Sequence, residues 1–407
     1  MKSTLPLLAL AGILAQPLFS ARAKEPAAPE AKHVVVYHNP AEFAGWPANE
    51  GMWAWGDEML VGFEVAKYVE TEGDHSIDRD APKRIVFARS LDGGLTWKAE
   101  EHPEIGVPEY LGDPEKHKQH RAGEKEPVPS PGGFDFTHPD FALKSRGGTF
   151  YTSTDRGRTW AGPYIIPSFG YSPELRTSYI VTGKQSCVFF ITGRVTEAGV
   201  SYARSGAVQT TDGGKTFEFL GWIGNEVGDE LRDRKSAAGK EGDAKMEAGN
   251  ENIFAIMPSA VQLGEGRFIV ALRQRINKKK WSSIYETTDG CKTWKRLGTL
   301  ENGSSNPVTL VKLEGETVAA VYGNRRKRPL GVSAKISRDG GKTWGDELML
   351  RGDARTWDLG YSRAVLRPDG TIVAAYYYNT EAHRQNHIAA TLWKPLLKAA
   401  EAEASSR

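Results

Sequence analysis

Cysteine is almost missing from this 407-residue chain, which has only Cys187 and Cys291. Two thiols cannot build a zinc cluster by themselves. In an oxidising compartment they could pair if their Cα atoms lie close, but two separate buried thiols is the preferred reading. A charge excess is missing too. The formal net charge is +2, so there is no electrostatic footprint for nucleic acid or an anionic membrane, and neither is expected as a partner. Beyond the first residues, no apolar run approaches the length of a membrane-spanning helix. No cofactor signature is found. His117-x-x-His120 has metal-like spacing, but it lies in a charged loop without further ligands, so no metal site is assigned.

The N-terminus does carry a signal. Lys2 is followed by the apolar stretch Leu5 to Leu14 and by the small-x-small site Ala21-Arg22-Ala23. Residues 1–23 are therefore expected to be a secretory signal peptide, too short and wrongly flanked for an anchor. No cysteine sits at the cleavage site to accept a lipid. The expected mature protein starts near Lys24, is secreted or periplasmic, and acts as a monomer. It would hold one all-β domain over 24–395 and a polar tail over 396–407.

What the chain has in quantity is glycine (44) and tryptophan (11), together with a repeat. SLDGGLTW at 90–97 is followed by STDRGRTW at 153–160, TTDGGKTF at 210–217, TTDGCKTW at 287–294 and SRDGGKTW at 337–344. In this Asp box, the Asp side chain can accept hydrogen bonds from N–H groups just ahead, Gly supplies the positive φ of a tight turn, and the final aromatic ring packs on a neighbour. Apolar stretches such as Ile85-Val86-Phe87-Ala88 flank the boxes, so each box is the turn of an antiparallel hairpin. Spacing runs from 50 residues (Asp289 to Asp339) to 77 (Asp212 to Asp289), about one four-stranded sheet plus loops. The expected fold is an all-β, six-bladed β-propeller of four-stranded antiparallel blades with Asp-box hairpin turns. Its last blade has no box and holds Ser362 to Tyr378, with His33-Val34-Val35-Val36-Tyr37 pairing there to close the ring. Residues 101–133 and 226–250, rich in charge and small residues, read as solvated loops that could also shape a binding site.

The boxes on this architecture resemble those of the sialidase (neuraminidase) superfamily over roughly residues 40–395. The resemblance implies rim positions for the boxes, with a structural role. It also implies a secreted glycoside hydrolase that acts on a terminal acidic sugar of a glycan, using three arginines for its carboxylate, a tyrosine nucleophile activated by Glu, and an Asp as acid/base. In the first blade, Gly45-Trp46-Pro47 stands where the family has Arg-Ile-Pro, so one arginine is lost. Lys67 falls near the second arginine. Gly73-Asp74-His75-Ser76-Ile77-Asp78 resembles the acid/base segment, with Asp74 the first candidate and Asp78 the reserve. In the fourth blade, Arg273 takes the place of a triad arginine, and Met257 stands where the glutamate should be. Glu247 or Glu251 could substitute for it. Arg325-Arg326-Lys327-Arg328 offers Arg328 or Arg326 as the last arginine. Asp358-Leu359-Gly360-Tyr361-Ser362 resembles the segment carrying the nucleophile, which would be Tyr361.

Some clusters have no counterpart in that family. Glu50 to Glu58, with Trp53 and Trp55, is read as packing against the next blade. His138 with Asp135 or Asp140 could be an acid/base pair or a satisfied structural group. Tyr377, Asn379, His383 and His387 could reach the axis from the final hairpin. Two alternatives to a sialidase stay open. One is a propeller hydrolase or lyase for another acidic sugar such as a uronate, and the other is a carbohydrate-binding propeller without turnover.

Overall fold

The computed structural model describes residues 30–106, 114–121, 123–238, 252–303 and 306–395. The expected signal peptide (1–23), the tail (396–407), Glu247 and Glu251 lie outside the described residues. The chain is all-β, with mostly antiparallel strands and three helices among the described residues.

The strands follow from apolar segments bounded by the repeated turns. In the first box, Asp92 Oδ1 accepts from the N–H groups of Leu95 and Thr96 at 3.0 and 2.9 Å, and Oδ2 accepts from the Thr96 hydroxyl at 2.6 Å. The Ser90 hydroxyl donates to Asp92 and accepts from the Gly94 N–H, both at 2.8 Å. Asp155, Asp212 and Asp289 repeat this arrangement. Such a ring of donors favours the carboxylate, and the Asp92 and Asp289 acids are pulled down to about 2, chiefly by Thr96 and Thr293. The fourth box holds Cys291 at φ 74, where the first box has Gly94 at φ 91. Cys291 and Cys187 are both free and buried, with no disulfide between them, and burial pushes the Cys291 thiol up to about 12.

The described strands form four hydrogen-bonded sheets. Separate four-stranded blades are expected from the repeats. Instead, short bridges of Leu175 with Gly147 and of Ala203 with Phe254 join the second, third and fourth repeats into one 11-stranded sheet. The strand Ala31–Tyr37 pairs antiparallel with His387–Trp393, so the N-terminal strand completes the C-terminal sheet as expected. Apolar clusters lie between successive repeats, some of them within the 11-stranded sheet. Trp53 packs with Phe87 and with Trp160 of the second box, the neighbour-packing role expected for the Glu50–Glu58 region.

The two segments read as loops differ from that reading in part. Residues 226–250 open with the helix Glu226–Ala238, which buries Val227 and Leu231 against Tyr202 and Trp281. Within 101–133, Pro114–His120 is helical, and Arg121, Glu124, Lys125 and Pro127 line a cleft.

Candidate active site

Two strands begin their paths toward the site with a kink. Gly360–Leu366 pairs with Ile372–Tyr378, and the register shifts between Gly360 and Arg363. Ile253–Gly264 pairs with Arg267–Ile276, and the register shifts between Ile256 and Ser259. Tyr361 and Met257 sit in these irregularities with φ of 46° and 58°, and Trp46 at the head of the short helix Pro47–Glu50 has φ 59°. Left-handed backbone at three large non-glycine residues costs energy and is retained where the surroundings enforce it, typically at functional sites. The Asn306 amide underlies Tyr361, with Nδ2 donating to the Gly323 carbonyl, and Gly360 leaves no room for a Cβ beside it.

Tyr361 is the focus. Arg273 Nη1 donates to its hydroxyl at 2.6 Å. The guanidinium groups of Arg273 and Arg325 lie 5.5 and 5.2 Å from its ring centre. Burial alone would raise the phenol, but the positive charges of Arg273, Arg325 and Arg176 outweigh it and hold the group below its ordinary value. The Met257 sulfur is 3.7 Å from Arg273 Nη1. Among the described residues, no carboxylate is hydrogen-bonded to the Tyr361 hydroxyl.

Arg325 is anchored from behind. Its Nε donates to the Leu359 carbonyl at 2.8 Å, and Nη2 donates to the Tyr377 hydroxyl at 2.5 Å. Tyr377 in turn donates to Asp358 Oδ1 at 2.7 Å, and His75 Nδ1 lies 2.7 Å from that same oxygen. Arg176 is held by Asn49 at 3.0 Å and by Glu174 at 2.9 Å.

Tyr361, Arg176 and His75 line a cleft of about 520 Å³, together with Trp46, Asn49, Glu64, Arg79, Lys83, Lys144 and Arg146. Its wall is a buried ion network. Glu50 is wholly buried, 2.6 Å from Lys144 and 2.8 Å from Arg146, while Arg146 also reaches Glu64 at 2.9 Å. Burial opposes ionisation of Glu50, yet the two cations carry it below the usual carboxylate range. A charged wall in a concave site suits a polar, anionic ligand.

The sequence candidates are distributed unevenly. Tyr361 and Arg273 come together. Arg328 does not join them, because its side chain is exposed; Arg325, three residues earlier and directly after the strand Val318–Asn324, occupies the position expected for it. Asp74 does not line the cleft; it is bonded to Arg79 at 2.5 Å and to the His75 N–H. Lys67 and Asp78 form an ion pair with each other at 3.1 Å and do not line the cleft. Asp135 accepts from the Thr137 hydroxyl and lies 3.7 Å from Lys184, and His138 Nδ1 accepts from the Asp140 N–H. That segment packs along the third box, through Gly133 and Phe134 N–H bonds to the carbonyls of Asp212 and Gly213, so the structure puts His138 in a turn and not at Tyr361. Asn379 supports the site by donating to the Asp358 carbonyl. Arg176 and His75 were not singled out from the sequence. Arg176 follows a loop with no motif, and His75 stood between two carboxylates that drew attention first.

The profile of the BNR repeat-like domain family matches residues 137–374. The chain belongs to the BNR repeat-like domain family. Among solved structures, it is similar to a protein of unknown function from Dyadobacter fermentans, with 20% identity, TM-score 0.62, and coverage of 89% of this chain and 99% of that one. It is similar to an α-L-arabinofuranosidase from Fusarium graminearum solved with an iminosugar inhibitor, at 12% identity, TM-score 0.53, and coverage of 90% and 98%. It is similar to the endosialidase of phage phi92, at 9% identity, TM-score 0.52, and coverage of 93% and 72%. No curated protein matches the sequence. These likenesses show a BNR-repeat β-propeller with the fold of sialidases and related glycosidases.

Proposed function

We propose that this BNR-repeat protein is an exported, six-bladed glycoside hydrolase of sialidase type that acts on an anionic terminal sugar of a glycan. The observation that carries the reading is the Tyr361 hydroxyl at 2.6 Å from Arg273, with Arg325 over its ring and Arg176 beside it in the cleft. Guanidinium groups suit the sugar carboxylate, and their field favours the phenolate of Tyr361. The phenolate attacks the anomeric carbon, and the glycosidic C–O bond breaks. In this arrangement the arginines take over part of the work that a glutamate at position 257 would do, because they lower the cost of ionising the tyrosine.

One observation favours a second reading. With no carboxylate on its hydroxyl among the described residues, Tyr361 is also suited to act as a base. Its phenolate could take the proton α to a uronate carboxylate neutralised by the same arginines, and the glycosidic oxygen would leave with formation of a C=C bond.

The test is turnover by the purified protein of fluorogenic 4-methylumbelliferyl α-sialoside, β-glucuronide and α-arabinofuranoside, alongside a polyuronate monitored in the ultraviolet. The expected result is release from an anionic glycoside, with kcat/KM at least about tenfold above the neutral one, the equivalent of one lost ion pair. An ultraviolet-absorbing unsaturated product selects the lyase reading. Preference for the neutral glycoside, or no turnover of any, overturns the proposal.

A further inference from the structure

We propose that His75, oriented by Asp358, is the acid/base group of the cleft; this deepens the hydrolase reading of Tyr361 and rests on it. His75 lines the cleft together with Ile77 and Arg79 of the same segment, while its neighbour Asp74 does not line it and is bonded to Arg79. The loop is pinned on both sides. Val69 N–H bonds to the Ser76 carbonyl, Asp78 N–H bonds to that of Lys67, and Ile77 is buried. The imidazole sits among Trp46, Trp357 and Phe43, with ring centres at 5.2, 5.7 and 6.4 Å. Its Nδ1 edge is bound to buried Asp358, so the opposite edge, with Nε2, is the one left partly open at 24% exposure.

Asp358 is built for this task. Oδ1 takes both His75 and the Tyr377 hydroxyl, while buried Oδ2 has no hydrogen-bond partner among the described residues. An orphan carboxylate oxygen in the interior is costly and calls for an explanation. A carboxylate on Nδ1 fixes the tautomer and compensates the positive charge that a general acid carries. The same Asp358 reaches Tyr361's arginine shell through Tyr377 and Arg325, so the acid/base and the nucleophile share one rigid frame.

In the first step, the His75 imidazolium gives its Nε2 proton to the glycosidic oxygen. That C–O bond breaks while the Tyr361 oxygen bonds to the anomeric carbon, and the aglycone leaves as a neutral alcohol. In the second step, neutral His75 takes a proton from water as the water oxygen attacks the anomeric carbon. The tyrosyl C–O bond breaks, and imidazolium and phenolate return.

Leaving-group dependence tests this assignment. Parent, His75→Gln and Asp358→Asn are compared on the anionic 4-methylumbelliferyl glycoside and on an oligosaccharide ending in the same sugar. His75→Gln is expected to lose about 10²–10⁴-fold in kcat on the oligosaccharide, whose alkoxide needs the proton, and less than about tenfold in the first step on the aryl glycoside. Asp358 is a positioning residue, so Asp358→Asn is expected to lower kcat on the oligosaccharide with KM unchanged. An active parent whose His75→Gln variant is within about threefold of it on both substrates overturns the dyad and leaves the hydrolase reading standing. A parent without turnover overturns both.

Discussion

Arg325 and Arg328 lie three residues apart in one basic run, and a single strand end separates their fates. Arg325 directly follows the strand Val318–Asn324, and its guanidinium is held by the Leu359 carbonyl, Tyr377 and the Tyr361 ring. Arg328 lies beyond, exposed, before Pro329. Arg325→Ala is expected to cost about 10²-fold in kcat/KM on the anionic glycoside, while Arg328→Ala stays within about twofold of the parent, as steady-state kinetics of the two variants will measure. The sequence could not separate them, because a basic run carries no period of its own. It did single out Tyr361 and Arg273, through the resemblance of Gly360-Tyr361-Ser362 and of the strand ending at Arg273 to sialidase segments. Asp74, the first acid/base candidate, does not line the cleft, whereas His75 beside it does.

At the scale of elements, the seam between the first and last strands carries a pH dependence. His38 lies just after Ala31–Tyr37, and its ring is 4.5 Å from that of His383 and 5.8 Å from that of His387. Burial, ahead of the nearby charges, lowers His387 from 6.5 to about 4 and also lowers His38. A histidine kept neutral in the folded state contributes stability that is fully present above the unfolded value near 6.5. It is lost as pH falls from there toward 4, because the unfolded chain binds the proton first. Stability is therefore expected to fall by about 2–3 kcal/mol over that window from His387 alone, with a flatter acid limb in His387→Asn. Urea unfolding at a series of pH values checks this, and an unchanged slope in the variant would contradict it. The seam pairing itself was legible in His33–Tyr37, an apolar run with no partner nearby in sequence. The helix Glu226–Ala238 was not legible, because its apolar positions Val227 and Leu231 are diluted by charge and declare a buried face only once Tyr202 and Trp281 are in place.

For the molecule as a whole, the repeats carried most of the architecture. Five turns with the same Asp and aromatic positions, four of them with the same Gly, fix hairpins 50 to 77 residues apart, and hairpins with apolar faces can bury them only against their neighbours. The site is less legible because it is assembled from single residues at the ends of different strands: Trp46, His75, Arg176, Arg273, Arg325 and Tyr361 span most of the chain, and no local pattern links them. Their convergence depends on bulges at Met257 and Tyr361 that sequence periodicity does not announce. The account therefore stands or falls on Tyr361 as the reacting group. The direct measurement is kcat for Tyr361→Phe on the anionic 4-methylumbelliferyl glycoside that the parent turns over. The account predicts a loss of about 10³-fold or more with KM little changed, since only the hydroxyl is removed. A variant within tenfold of the parent would contradict it.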